Sequence, residues 1–226
     1  MAGSKIQLVE DYVRQAMSEE VAHDFKHVDR VRNWALQIAR GEGYQDTELI
    51  EITALLHDIG LPHVKGRSKH SEVGAQIAVK FLKEIDIFSE DRIEEIADAI
   101  RYHSSIIPGK GKLSEILRDA DMMDAIGAVG IMRAFTSKSS KPEYNPENVK
   151  SSTWSMTGRD IDILLDDKGE VGEYIIDQIN LQTAYYDNLF TETARKLARP
   201  LIEFMRNYVI QLEHEINAGR YGNIPI

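Results

Sequence analysis

The stretch Thr53–Gly60, TALLHDIG, places a histidine and an aspartate side by side at the end of an apolar run. Four apolar residues recur there at helical spacing and predict one buried helix face: Ile52, Leu55, Leu56 and Ile59. Gly60 and the nearby Pro62 supply the stop signals expected just past a helix end. On that last turn the imidazole of His57 and the carboxylate of Asp58 are about 100° apart and can both face a cation. A solvated or hydrogen-bonded structural pair is the alternative.

Two further residues extend this pair to a candidate ligand set. His27 lies on the apolar face of an amphipathic segment, with Val31 four positions after it. Asp121 lies in the apolar run Leu117–Ile126, which carries more carboxylates than a core helix tolerates without partners. Together with the His-Asp pair, these residues are candidates for ligands of a divalent metal ion: His27, His57, Asp58 and Asp121.

The four candidates, in this order on separate helices, resemble the His…His-Asp…Asp motif of the HD superfamily of metal-dependent phosphohydrolases. The chain resembles in particular the small stand-alone bacterial members of the YedJ and YpgQ type. The resemblance covers roughly residues 20 to 135, and the local sequence fits at Ala22–His27 with Arg30, Leu55–Gly60, His70–Ala75, Arg101–Ser104 and Asp119–Asp121. It implies an all-α fold, an HD-domain helical bundle, and a bound divalent ion.

The resemblance also implies roles for two more histidines. Members of the family place a histidine at the position of His70 or His103 to bind a second ion or the substrate phosphate. We expect one ion, with both histidines contacting phosphate, and keep two ions as the alternative. Histidine-rich ligation permits Mn, Fe, Co, Ni or Zn, whereas Mg ordinarily prefers more oxygen ligands.

Catalytic roles follow from the chemistry of a phosphohydrolase. Asp58 is the candidate to orient the attacking water, and either Glu72 or Asp124 is the candidate general acid or base. The candidate substrate-binding residues, besides the two histidines, are basic: Lys65, Arg67, Lys69 and Arg118. A solvated basic loop, and a surface charge pair of Arg118 with Asp124, are the alternatives.

Helical periodicity continues along most of the chain. We predict a core of residues 1–135 and a loop over 136–160, which would serve as a lid or a dimer arm. C-terminal helices would then pack on the core as a helical extension within one structural domain. Pro200 should bend or interrupt the last helix. The predicted helices cover residues 5–19, 24–41, 47–60, 70–85, 90–103, a segment around Asp121, 170–189 and 192–217.

Composition limits the function classes. The 226 residues include no cysteine, which excludes disulfides and thiolate metal sites. The formal net charge of −10 argues against a stable nucleic-acid partner. Without a signal peptide or an apolar run of membrane-spanning length, we expect a cytoplasmic protein with no membrane partner. The C-terminal helices are the candidate interface of a homodimer.

These observations predict a metal-dependent phosphohydrolase of EC class 3.1 or 3.6. It would cleave a phosphomonoester or phosphoanhydride bond of a small substrate, and the resemblance suggests a nucleotide. One alternative is a phosphodiesterase or nuclease acting on cyclic or oligomeric nucleotides. The other is a non-catalytic HD module that binds a nucleotide.

Overall fold

The computed structural model describes residues 5–17, 24–65, 69–105, 109–168 and 171–218, with the backbone alone for 166–168. Within these ranges the regular elements are ten α-helices and two short 3-10 helices, without strands. The predicted all-α fold is confirmed. The α-helices are α1 Lys5–Ala16, α2 Phe25–Gly41, α3 Thr47–Leu56, α4 His70–Ile85, α5 Glu90–Tyr102, α6 Gly111–Asp124, α7 Gly127–Ser137, α8 Gly158–Lys168, α9 Ile175–Ala184 and α10 Glu192–Asn217.

Three predicted boundaries are corrected. Helix α3 ends at Leu56, so that His57 begins the turn that follows it. Helix α8 lies partly within the predicted loop and outside every predicted helix, because its short apolar pattern is interrupted by acidic residues. Helix α10 continues through Pro200 instead of being interrupted there.

Side-chain caps fix the start of the two helices that lead to the His-Asp pair. The carboxylate of Asp24 accepts a hydrogen bond from the backbone N–H of His27 at the start of α2. The carboxylate of Asp46 accepts a hydrogen bond from the backbone N–H of Leu49 at the start of α3. Both helices bury an apolar face, and in α3 every residue from Leu49 to Leu56 except Glu51 is buried.

The chain divides into two compact units. One comprises the described residues up to Asp124 together with Phe190–Ala194. In this unit α4 packs on α5, and α2 packs on both α3 and α6. The other comprises Ala125–Leu189 and the chain from Arg195 onward, where α9 packs on α7 and α8.

A close backbone approach sets α4 against the turn that follows α3. A Cβ atom at Gly60 would lie 2.1 Å from the carbonyl oxygen of His70 and 2.5 Å from the backbone nitrogen of Gly74. Gly60 has φ −80°, which any residue adopts, so the glycine is needed for space and not for conformational freedom. This contact holds the start of α4 against the His-Asp turn.

The segment Phe190–Ala194 is anchored in the first unit by two carboxylates. Asp119, on α6, accepts hydrogen bonds from the backbone N–H groups of Phe190 and Thr191 and from the Thr191 hydroxyl. Glu42 accepts one from the backbone N–H of Thr193. These acceptors satisfy donors at the start of α10 that have no partner within a helix. In the described part of the chain, no helix has both the length and the apolar composition that crossing a bilayer requires.

Candidate metal centre

Helix ends bring six predicted site residues of the first unit together. His27 lies in the first turn of α2, and His57 and Asp58 follow the last residue of α3. The other three lie at the start of α4, just after α5 and in the last turn of α6: His70, His103 and Asp121. The four histidines and Asp58 are at most 4% exposed, whereas the side chain of Asp121 is 28% exposed.

Two of the histidines have the same local geometry. Nδ1 of His57 donates to the carbonyl oxygen of Ala54 over 2.7 Å, and Nδ1 of His103 donates to that of Ile100 over 2.7 Å. Each carbonyl belongs to the last turn of a helix, and that of Ile100 also accepts the backbone N–H of His103 over 3.5 Å. A carbonyl can only accept, so the proton of each ring lies on Nδ1 and the Nε2 lone pair is available to a cation.

A carboxylate orients the third histidine. Nδ1 of His27 lies 2.7 Å from Oδ2 of Asp124. Arg30 donates to both oxygens of this carboxylate, over 2.6 Å and 3.1 Å, which favours its ionised form. The ionised carboxylate draws the proton of His27 to Nδ1 and turns Nε2 toward the cluster.

Asp58 divides the cluster into two ligand sets. Its Oδ2 atom lies 3.3 Å from Nε2 of His27 and 3.5 Å from Nε2 of His57, which form the first ligand set with it. Its Oδ1 atom lies 3.5 Å from Nε2 of His70 and 3.4 Å from Nε2 of His103, which form the second. Asp121 approaches the first set through His27, with Oδ1 3.4 Å from Nε2.

The donor atoms fit a metal ion in both chemistry and spacing. Nε2 of His57 lies 3.3 Å from Nε2 of His27, and Nε2 of His70 lies 3.2 Å from Nε2 of His103. Two lone pairs at these distances repel unless a proton or a cation lies between them. Two ligand atoms about 2.1 Å from a shared ion, at roughly 90–109° to each other, are about 3.0–3.4 Å apart. The Nε2–Nε2 distance in each ligand set matches that spacing.

Burial and neighbouring charges shift the pKa values of these imidazoles in opposite directions. Burial lowers the pKa of His57 to about 4, so this ring is neutral at physiological pH. Burial also lowers the pKa of His27, but hydrogen bonds to Asp124 and Asp58 outweigh it and raise the pKa to about 9. Burial opposes a charge on His103 too, yet Asp58 raises its pKa overall. Without an ion, a proton on His27 offsets the carboxylate charge.

The remaining predicted site residues do not join the ligand sets. Asp124 is 1% exposed and both of its oxygens are engaged by His27 and Arg30. Glu72 is exposed and accepts a hydrogen bond from Nε of Arg101 over 3.0 Å. Arg118 is buried and donates to the carbonyl oxygen of Ser105.

The basic loop after the His-Asp turn is only partly described. Lys65 and Lys69 are exposed. Arg67 lies outside the described residues, as does His23, which the sequence pairs with His27 on one helix face. The phosphate-clamping role of this loop therefore stays a prediction.

Two features of the site are not predicted from the sequence. One is the contact of Arg30 with Asp124, since the sequence shows Arg30 only as part of the resemblance to the HD superfamily. Its position three residues after His27, on the same helix face, could have indicated a role beside that histidine. The hydroxyl groups of Ser71 and Ser104 lie 2.6 Å apart, each one residue after a histidine of the second ligand set. Ser71 Oγ also lies 3.4 Å from Nε2 of His70.

A helical bundle whose helix ends gather His27, the His57–Asp58 pair and Asp121 around one buried centre defines an HD-domain protein. The chain belongs to this family: the family model for the HD domain matches residues 24–128. The resemblance found in the sequence is thereby confirmed.

Individual relatives match over almost the whole chain. The uncharacterized protein YpgQ of Bacillus subtilis is 30% identical over 216 residues, which are 92% of each chain. The crystal structure of a predicted HD superfamily hydrolase from an uncultured Thermotogales bacterium is 28% identical and covers 92% of this chain and 91% of its own, with a TM-score of 0.62. YpgQ in complex with ADP superposes with a TM-score of 0.65, 24% identity and coverage of 93% and 94%. The HD-domain family match and the predicted hydrolase of 28% identity support assignment to the metal-dependent hydrolases.

Proposed function

We propose that this protein is a metal-dependent phosphohydrolase that cleaves a phosphomonoester or phosphoanhydride bond of a small nucleotide. The observation that carries the proposal is the convergence of four imidazole Nε2 atoms on the two oxygens of one buried aspartate, Asp58. The nucleotide is supported by the family resemblance and by the complex of the relative YpgQ with ADP. A cytoplasmic location and a homodimer stay predictions.

The first ligand set, with Asp121, would hold one divalent ion of Mn, Fe, Co, Ni, Zn or Mg. The second set makes two ions better supported than the single ion expected from the sequence, because its Nε2 atoms are spaced for a shared ligand. A bound ion supplies Lewis acidity, which lowers the pKa of water and offsets the charge that develops on phosphoryl oxygens.

Asp58 would contribute one oxygen to each ligand set, since its two oxygens face opposite sides of the cluster. It would also orient the attacking water. His70 and His103 would hold a second ion or contact the phosphate directly. Lys65, Lys69 and the undescribed Arg67 would offset the charge of a polyanionic substrate.

The general acid or base was expected to be Glu72 or Asp124. We now favour Glu72, because it is exposed, whereas Asp124 is buried and held between His27 and Arg30. Asp124 would then act through His27 as a positioning residue. Arg118, bonded to the carbonyl oxygen of Ser105, would shape the pocket wall and not bind phosphate.

The test is to strip the full chain of metal with a chelator and reload it with each metal in turn. Nucleoside mono-, di- and triphosphates are then screened for release of phosphate and pyrophosphate. We expect release that depends on metal and is lost in Asp58→Asn but retained in Asp91→Asn, a matched control at an exposed carboxylate of α5.

Other outcomes identify the alternatives. Cleavage of cyclic dinucleotides or oligonucleotides alone would indicate a phosphodiesterase or nuclease. Absence of release under every metal, with nucleotide binding retained, would overturn the enzyme and indicate a binding module.

A further inference from the structure

We propose that the ring of Phe190, seated on the guanidinium group of Arg118, is the platform on which the base of a nucleoside phosphate stacks beside the metal centre. This inference rests on the proposed function, because it names the part of the substrate that the centre recognises apart from phosphate. It adds a base-binding subsite formed by the segment just before α10 and the C-terminal half of α6.

Arg118 is connected to residues next to both parts of the metal centre. Along α6 it precedes Asp121 by one turn, and side chains three positions apart on a helix have Cβ atoms about 5–6 Å apart. Its Nε donates over 2.8 Å to the carbonyl oxygen of Ser105, two residues after His103 of the second ligand set. The guanidinium group is therefore tied to the neighbourhood of both sets.

The ring of Phe190 covers this guanidinium group. Its centroid lies 4.5 Å from Cζ of Arg118, within the range of a cation–π interaction. Arg118 is 3% exposed, whereas Phe190 keeps 38% of its surface exposed. One face of the ring is thus occupied by a cation, and the exposed part of the residue is accessible to a ligand.

The ring is also held in a fixed place. Both oxygens of Asp119 accept the backbone N–H of Phe190, over 2.9 Å and 3.2 Å. Oδ2 of Asp119 also accepts the backbone N–H and the hydroxyl of Thr191, each over 2.7 Å. A large apolar ring that is exposed and yet anchored costs little entropy when it binds a flat partner.

The chemistry of this platform selects ligands that carry a base. Base–aromatic stacking changes affinity by about 5- to 150-fold per base and tolerates every base, because each has a π face. Inorganic pyrophosphate has the same charged group as a nucleoside diphosphate but nothing to stack. We therefore expect the centre to prefer the nucleoside diphosphate, with weak discrimination among bases.

The experiment measures binding of ADP and of inorganic pyrophosphate to the manganese-loaded full chain by calorimetry. Phe190→Ala should weaken ADP binding by about 5- to 150-fold and leave pyrophosphate binding unchanged. Phe190→Trp should restore ADP binding. Phe204→Ala, which removes a half-exposed phenylalanine of α10 outside this cluster, should change neither.

Three results would overturn the platform: equal affinity of the wild type for both ligands, unchanged ADP binding in Phe190→Ala, or equal loss of both ligands in that variant. Equal loss would mean that the ring only supports Arg118. Failure of the proposed function looks different, because the wild type would then bind ADP in a Phe190-dependent manner and hydrolyse nothing. Hydrolysis without preference for base-bearing substrates would retain the enzyme and discard the platform.

Discussion

Oδ2 of Asp124 lies 2.7 Å from Nδ1 of His27, although 97 positions separate the two residues in the chain. The contact joins the first turn of α2 to the last turn of α6. Arg30 holds the same carboxylate from the other side. The orientation of a proposed metal ligand, His27, therefore depends on a residue outside both ligand sets.

Replacing Asp124 by Asn should weaken metal binding by about 10- to 100-fold, because the neutral amide no longer stabilises the proton on Nδ1 of His27. Competition with a metal-sensitive dye measures the affinity for manganese. Asp119→Asn is the matched control, since it changes another buried carboxylate of α6 that anchors Phe190 and Thr191. Equal manganese affinity in Asp124→Asn and wild type would contradict the positioning role.

Metal loading should release a proton from His27. Its pKa of about 9 in the metal-free protein means that the ring is charged at pH 7.5, whereas a metal ligand must be neutral. Apparent affinity should therefore rise with pH, by about tenfold per unit, until the pH reaches that pKa. Calorimetry in two buffers of different ionisation enthalpy counts the protons. A count of zero for wild type would contradict the raised pKa.

The same shift has a consequence for the metal-free protein. The raised pKa stabilises the fold fully below the unfolded value of about 6.5, and this stabilisation is lost as the pH rises through the folded value. Denaturant unfolding of the metal-free protein should show that His27 contributes less to the free energy of unfolding at pH 9.5 than at pH 7. The difference between wild type and His27→Gln isolates it.

Gly60→Ala should destabilise the fold and reduce metal content together. The added methyl group would overlap the carbonyl oxygen of His70, and overpacking of this kind costs about 1–3 kcal/mol. Gly43→Ala is the control: Gly43 has φ +70° and open space around it, so its variant pays only about 1–2 kcal/mol of backbone strain. Metal analysis and denaturant unfolding of both variants test this, and full metal content in Gly60→Ala would contradict it.

Asp119→Ala should lower the free energy of unfolding by about 1–3 kcal/mol, because donors of Phe190 and Thr191 lose their buried acceptor. Denaturant unfolding measures the change. Asp98→Ala serves as a control, because the carboxylate of Asp98 accepts from an exposed backbone N–H, that of Lys110. Equal stability of the two variants would show that Asp119 does not anchor the start of α10.

Local patterns were sufficient to predict most helices and to select the candidate ligand residues that the structure brings together. The apolar periodicity around Leu55 and the cap at Asp46 depend on neighbours within a few positions, so the sequence displays them directly. The sequence indicates that the buried carboxylates of α6 need partners. It does not indicate which partner each carboxylate has.

Contacts between distant segments could not be predicted. The sequence does not display that Asp124 meets Arg30, or that Asp119 meets Phe190. Both contacts depend on how helices pack. Apolar periodicity identifies which face of a helix is buried, but not which helix or segment packs against that face. Arg118 and Asp124, six positions apart, were considered as a surface pair for the same reason; each is buried and bonded elsewhere.

The anchored segment Phe190–Ala194 also limits how the protein can be cut. A fragment ending at residue 135 would contain every proposed metal ligand and the whole stretch that the HD-domain family model matches. It would nevertheless lack the donors that meet Asp119 and Glu42, and would expose the guanidinium group of Arg118 to solvent. The smallest piece that retains the first unit is discontinuous in sequence. A minimal version would therefore need the segment Phe190–Ala194 joined to it through a designed linker.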